Sequence, residues 1–545
     1  MTKTKLILII ILITLLGGFL RFYKNYQNPV SLTVDEVAFG YNAYSVLKTG
    51  RDEYGKFMPL TFKSVGDYKN PFPIYSMVPS IAIFGLNEFS VRFPTALIST
   101  LSIPLFFLLF RKLTKKTGTA LLGTLLLAIS PWHIYFSRYV SDHLMAGVFI
   151  GVGIIFFLKM LDGKKIWALL SALFFVLSIY TYYPERLFVP LFLLALFAIK
   201  FKELINHKKE SVIFIIACIV LAAPLLYSTF FGNDIARANM VFITKDIEFT
   251  RNVLLSDAKT AFSGMANMSL LFFFWARKYL AYFSPSFLFY GGLPMTIQGS
   301  YGLGVLYLFE AITLPLGIYA FIKGKIPQKG IITSWILLGL IPSSLTNNEQ
   351  HPGRTILILP AVILLSALGL YELIKLVKNI TIKYVKYFAI TAFSILVIWD
   401  LAHALIAFSV YFPKERDEDF MNGTKEAVEY MLQNQDKYKE IVFDPYRGVV
   451  APYIVSIPHM YILFYSQYDP NIYQTELKRT GDDLYGFGKY TIRKINWPVD
   501  RSSDDILFIG SPWVLNEKDI DQGNILKKIY LENGSLAFLI VRTGD

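Results

Sequence analysis

The sequence has almost no cysteine and little charge. Cys218 is its only thiol, so no disulfide can form within the chain and a thiolate-held structural zinc has no ligand set. Charged residues make up 17% of the 545 residues, while 54% are hydrophobic. Soluble domains run nearer about 25% and about 45–50%. With a mean hydropathy of +0.47, the missing charge places the chain among polytopic membrane proteins. Phosphate-cradling P-loops, Rossmann glycine sets, HExxH and GxSxG are also absent, which argues against a nucleotide-driven pump, a dehydrogenase or a common hydrolase. There is no internal repeat and no low-complexity segment. The net charge of +13 fits Lys/Arg loops at a membrane face, and no nucleic-acid module accompanies it.

What is present is a series of apolar runs. The first, residues 1–20, has a basic start and no small-x-small cleavage site after it, so it reads as an uncleaved span with its N-terminus inside. Arg21 to Lys24 are expected to snorkel at the outer interface. Runs follow at 71–86, 89–110, 118–137, 141–159, 165–182, 187–200, 211–230, 303–322, 331–345, 355–377 and 385–410. Basic clusters at Arg111–Lys116, Lys159–Lys165, Lys200–Lys209, Lys323–Lys329 and Lys375–Lys386 fall on one side only if 71–86 does not cross. That segment is therefore read as interfacial or re-entrant. The reading is a mainly α protein of about 11 transmembrane helices in the cell membrane, N-terminus cytoplasmic, C-terminus outside.

Residues 1–410 form the expected membrane domain, with outer loops at 21–90 and 231–302. Residues 411–545 form a small extracytoplasmic α/β domain. There, Thr424–Gln433 has helical spacing, and KEIVFD, DDILFIG and SLAFLIVRT read as strands.

This topology gathers polar motifs on the outer face. Asp35-Glu36 lies just after the first span. A carboxylate there suits a base that takes a proton from a hydroxyl, and it equally suits the acidic start of a solvated helix. Arg51, Asp52 and Glu53 read as solvated loop charge. Lys69-Asn70-Pro71 sets a cation before a helix that cannot begin earlier; it can neutralise a phosphate oxygen or anchor the interface. Arg138 and Asp142, four apart, would share a face of one helix and pair, or contact a phosphate and an acceptor. His133 and His143 are hydrogen-bonded rim residues or metal ligands. Tyr182 and Tyr183 fit an aromatic belt or a sugar-stacking wall, with Glu185 and Arg186 beside them. His351 and Arg354 close a donor phosphate site or are ordinary loop polarity.

Taken together, Asp35-Glu36, the Lys69-x-Pro71 step, FGLNEFSVRFPTALIST, SRYVSD, YTYYPERLFVP and SPSFLFYGG resemble the lipid-linked-sugar glycosyltransferases of the GT-C fold. The resemblance covers about residues 5–410 and is nearest to the protein O-mannosyltransferase and aminoarabinose-transferase group. It implies a sugar, a mannose-like hexose or modified pentose, carried on polyprenyl phosphate. It implies inverting transfer to a hydroxyl of a protein, lipid or glycan at the extracytoplasmic face. It maps the base onto Asp35, a neighbour that tunes it onto Glu36, a second acidic residue onto Asp142 and the donor-phosphate contact onto Lys69. Family members with a metal contact here carry a Glu directly before that Lys; this chain has Tyr68, and no metal or other cofactor is expected. The partners implied are the lipid-linked sugar, the acceptor and membrane lipids, without nucleic acid. The alternatives are an oligosaccharyltransferase or ligase using a pyrophosphate-linked lipid, and a lipid or sugar transporter.

Overall fold

The computed structural model describes residues 2–231, 242–255, 263–291, 299, 302–347, 350–476, 478–479 and 485–544. The chain divides into two compact units that interleave in sequence: Met1–Tyr23 with Thr95–Phe408, and Lys24–Pro94 with Ser409–Asp545. One of the breaks between the units lies between Phe408 and Ser409. The segment after the first span, expected as a loop of the membrane domain, is built into the same unit as the C-terminal residues.

The first unit is helical and makes the chain an integral membrane protein. Among the described residues, six helices are long and apolar enough to cross a membrane, and a bent pair makes seven. Four of the 11 expected spans are shorter helices: Lys165–Thr181, Glu185–Ile199, Glu310–Lys323 and Lys329–Gly339. The run 118–137 is not one helix. Thr117–Ile129 and Pro131–Ser137 meet at a 50° bend, because Pro131 has no N–H to continue the ladder and Ser130 caps the new start by accepting from the His133 amide. Asp142–Met160 is buried along nearly its whole length, as the central helix of a bundle must be. The first helix, Lys3–Phe22, instead leaves Ile7, Leu8, Leu12 and Leu15 exposed, the apolar face that lipid covers. Arg21 does not snorkel. It is fully buried and donates to the carbonyls of Gly17, Leu127 and Ala128 and to His133 Nδ1 at 2.7 Å. Apolar surroundings offer a guanidinium only such partners, so it pins the first helix to the bend at Ser130.

The second unit carries a seven-stranded sheet of β3 (Glu440–Phe443), β6 (Lys478–Arg479), β7 (Tyr485–Phe487), β8 (Tyr490–Ile492), β9 (Ile506–Gly510), β10 (Ile525–Tyr530) and β11 (Leu536–Arg542), numbered after the short strands β1 (Phe62–Ser64), β2 (Asp67–Lys69), β4 (Tyr446–Arg447) and β5 (Ile454–Val455). The order is β10-β11-β9-β3-β8-β7-β6, with β3 parallel to both neighbours. All three expected strands are present, and the expected helix is Thr424–Asn434. Val442, Phe508, Leu539 and Val541 form a core with Trp497. The segment Pro71–Phe84 is a helix of 14 residues, ~21 Å long, shorter than the roughly 30 Å hydrocarbon core.

Candidate active site

The helix Val34–Thr49 opens with a capping box. Thr33 Oγ1 accepts from the Glu36 amide and Glu36 Oε2 accepts from the Thr33 amide. Adjacent positions at a helix start point in different directions, and the two carboxylates therefore part. The Glu36 side chain is 1% exposed and bonded to Arg92, with Nε donating to Oε1 at 2.9 Å. Arg92 also donates to the carbonyls of Asn25, Pro29 and Ser31. Glu36 thus helps to hold the loop and helix start together. The Asp35 side chain is 61% exposed and meets Lys69, whose Nζ lies 2.7 Å from Asp35 Oδ1 and 3.3 Å from Asp67 Oδ2.

Lys69 reaches this position from a hairpin. β1 and β2 pair with Phe62 opposite Lys69 and Ser64 opposite Asp67. The two linking residues, Val65 and Gly66, both have positive φ, 55° and 72°, as the tightest hairpin turns require. The lysine stem is nearly buried at 7% exposure, Asn70 follows as the N-cap, and Pro71 starts the next helix. A buried ammonium thus faces an exposed carboxylate at the start of a helix. Asp52 and Glu53, expected as solvated charge, are buried instead. Asp52 Oδ1 accepts from the amides of Tyr54 and Lys56, and the Glu53 amide donates to Asn42 Oδ1.

The remaining candidates lie in the membrane unit. Arg138 and Asp142 do not share a helix: Arg138 caps the end of Pro131–Ser137 and Asp142 begins Asp142–Met160. Arg138 donates to the carbonyls of Leu20 and Tyr23 at 2.9 and 2.8 Å and lies over the Phe408 ring. Those contacts hold the end of the first helix. His133 is spent on Arg21 and Ser102.

Asp142, Tyr182, Glu185, His351 and Arg354 do come together, and the residue that joins them is His143. Its Nδ1 lies 2.8 Å from Asp142 Oδ1, and its ring is 4.3 Å from Tyr182 and 5.9 Å from His351. The Arg354 amide donates to His351 Nδ1. Gly353 packs so closely on the His143 ring that a Cβ would sit 2.9 Å from it. Burial, with the Arg354 and His143 charges, holds His351 well below the usual imidazole range. Glu185, at the start of the helix Glu185–Ile199, is 1% exposed, and among the described residues neither of its carboxylate oxygens has a hydrogen-bond partner. Arg186 stacks 4.1 Å over Tyr183 and donates to Thr229 Oγ1, so these two serve the helix packing here.

Sequence reasoning missed His143 as organiser and missed Arg92; a lone histidine or arginine in an apolar helix carries no local signal. It also missed a cavity of about 800 Å³ in the membrane unit, where Arg277 pairs with Glu248 and Lys278 with Asp246 beside Lys245 and Arg251. Gly292, Tyr301, Asn348 and Glu349 lie outside the described residues.

Residues 11–235 match the family model of dolichyl-phosphate-mannose-protein mannosyltransferase. An uncharacterized protein of Aquifex aeolicus is 30% identical over 166 residues, 30% of this chain and 31% of that one, so the match spans about a third of that relative's length. Among solved structures, ArnT from Cupriavidus metallidurans bound to undecaprenyl phosphate is similar over 99% of this chain and 98% of its own, with a TM-score of 0.57 and 11% identity. The Archaeoglobus fulgidus oligosaccharyltransferase tethered with an acceptor peptide is similar over 98% of this chain and 74% of its own, with a TM-score of 0.53 and 13% identity. The chain thus carries the GT-C glycosyltransferase fold, and over residues 11–235 it matches the protein mannosyltransferase family.

Proposed function

We propose that this GT-C glycosyltransferase moves one sugar from polyprenyl phosphate to an acceptor hydroxyl at the extracytoplasmic face, with inversion at the anomeric carbon. The observation that carries the proposal is the Asp35–Lys69 contact of 2.7 Å, an exposed carboxylate held by a buried ammonium. Asp35 accepts the acceptor's hydroxyl proton as its oxygen bonds to the anomeric carbon. The bond from that carbon to the phosphate oxygen breaks, and its electron pair leaves with the polyprenyl phosphate. Lys69 is placed to meet the charge that develops there. Its carboxylate partners are Asp35 and, at longer range, Asp67, so a bound phosphate would compete for the ammonium and release Asp35 as the donor arrives. Within the membrane unit, Asp142 and Arg354 are proposed to contact an acceptor or a phosphate. Glu36 holds the helix start through Arg92. The family match supports this reading, as does a neighbour of the same fold solved with undecaprenyl phosphate.

The test is transfer in proteoliposomes from a panel of undecaprenyl-phosphate sugars (mannose, glucose, galactose and aminoarabinose). Asp35→Asn should lower kcat by roughly 10²–10⁴-fold, and Lys69→Met by roughly 10²–10³-fold. Full activity of Asp35→Asn on a donor the wild type uses would remove the base assignment.

A further inference from the structure

The residues after Ser409 form part of the unit that holds Asp35. The helix Pro458–Tyr465 is buried from Pro458 to Phe464 and packs on the helix Val34–Thr49. Gly40 lies so close that a Cβ there would meet the Phe464 ring at 2.7 Å. One hydrogen bond from this helix reaches the entry to the Asp35 helix. The Tyr461 hydroxyl donates to the Leu32 carbonyl at 2.7 Å, and both residues are fully buried.

Leu32 directly precedes the N-cap Thr33. Three other carbonyls of this entry loop, those of Asn25, Pro29 and Ser31, accept from Arg92. Arg92 therefore holds the loop from one side and Tyr461 holds its last residue. The charged groups that face the Tyr461 phenol are Arg447, Glu36, Asp35 and Arg92, which puts the hydroxyl amid the ion pairs that frame the helix start. The next tyrosine of the same helix, Tyr465, does a different job: its hydroxyl donates to Glu88, which Lys425 also holds.

We propose that Tyr461 is a positioning residue for Asp35: through the Leu32 carbonyl, the C-terminal part of the chain fixes where the catalytic carboxylate stands. This rests on the reading of Asp35 as the base. The Asp35 side chain is mostly exposed and held by Lys69, so where it stands depends on that contact and on the backbone of residues 32–35. A displacement of about 1 Å in a reacting group costs up to 10²-fold in rate.

The test compares the full-length Tyr461→Phe and Tyr465→Phe variants with wild type, using the panel donor that the wild type turns over fastest. Each variant loses one hydrogen-bonded hydroxyl from the same helix, buried at Tyr461 and half-buried at Tyr465. Tyr461→Phe should lower kcat by about tenfold or more with KM for donor and acceptor unchanged, while Tyr465→Phe keeps kcat near wild type. Three outcomes would overturn the proposal: wild-type kcat in Tyr461→Phe, equal losses in both variants, or a Tyr461→Phe chain that fails to fold beside a folded Tyr465→Phe. The Asp35→Asn variant is assayed alongside. If it is fully active, the base assignment has failed whatever Tyr461 does; if it is inactive while Tyr461→Phe is not, only the positioning role has failed.

Discussion

Asp35 and Glu36 follow one another at the start of one helix, yet one side chain is 61% exposed and the other 1%. The neighbours should therefore separate in experiment. Glu36→Ala leaves the buried Arg92 guanidinium without its carboxylate and should cost about 3–5 kcal/mol of stability, visible as a lowered Tm in detergent; Asp35→Asn should leave Tm close to wild type. This difference could not be read from the sequence. Asp35-Glu36 was legible as a motif, but which carboxylate meets solvent depends on Arg92, 56 positions beyond Glu36.

At the scale of elements, the helices Glu310–Lys323 and Leu359–Lys378 cross at two glycines. A Cβ on Gly317 would lie 1.8 Å from the Leu365 carbonyl oxygen, and one on Gly369 1.8 Å from that of Thr313. Thr313 Oγ1 and Ser366 Oγ are hydrogen-bonded at 2.6 Å across the same seam. Small residues that let backbones touch, with a hydroxyl pair between them, are how helices associate where lipid gives no hydrophobic drive. Gly369→Val should force the pair apart and lower Tm by the equivalent of about 1–3 kcal/mol, whereas Gly523→Ala, where a Cβ meets nothing within 4 Å, should not. The helices themselves were legible as apolar runs, but the bend at Ser130 was not, although Pro131 stood in plain view. An apolar stretch of the right length outweighs one proline in a hydropathy reading, and only the cap at Ser130 turns it into a corner.

For the whole molecule, the open prediction is orientation. With the basic clusters read as inside, residue 164 is expected inside and residue 450 outside. Val450 is 78% exposed and Lys164 is exposed. In a chain with Cys218 replaced, a cysteine at 450 should react with an impermeant maleimide on intact cells, and one at 164 only after permeabilisation. The reverse pattern would invert the topology. Gly353, packed against His143, is a poor site for such a label.

The sequence by itself determined the class of the molecule. Scarce charge, long apolar runs and one thiol leave few options other than a helical membrane protein, and the switch in composition near 410 marks a sheet-bearing region, because hydropathy and periodicity are local properties. It also named Asp35 and Lys69, since a charged pair flanking an apolar helix start is visible as a string. Only the tertiary structure decided that these two meet, that Glu36 pairs with Arg92 and Arg138 with the carbonyls of Leu20 and Tyr23, that Arg21 is buried, and that Asp35 shares a unit with Tyr461 more than 400 positions away. Those outcomes depend on which carbonyls and carboxylates a buried cation or phenol can reach, and that is fixed by how distant segments pack.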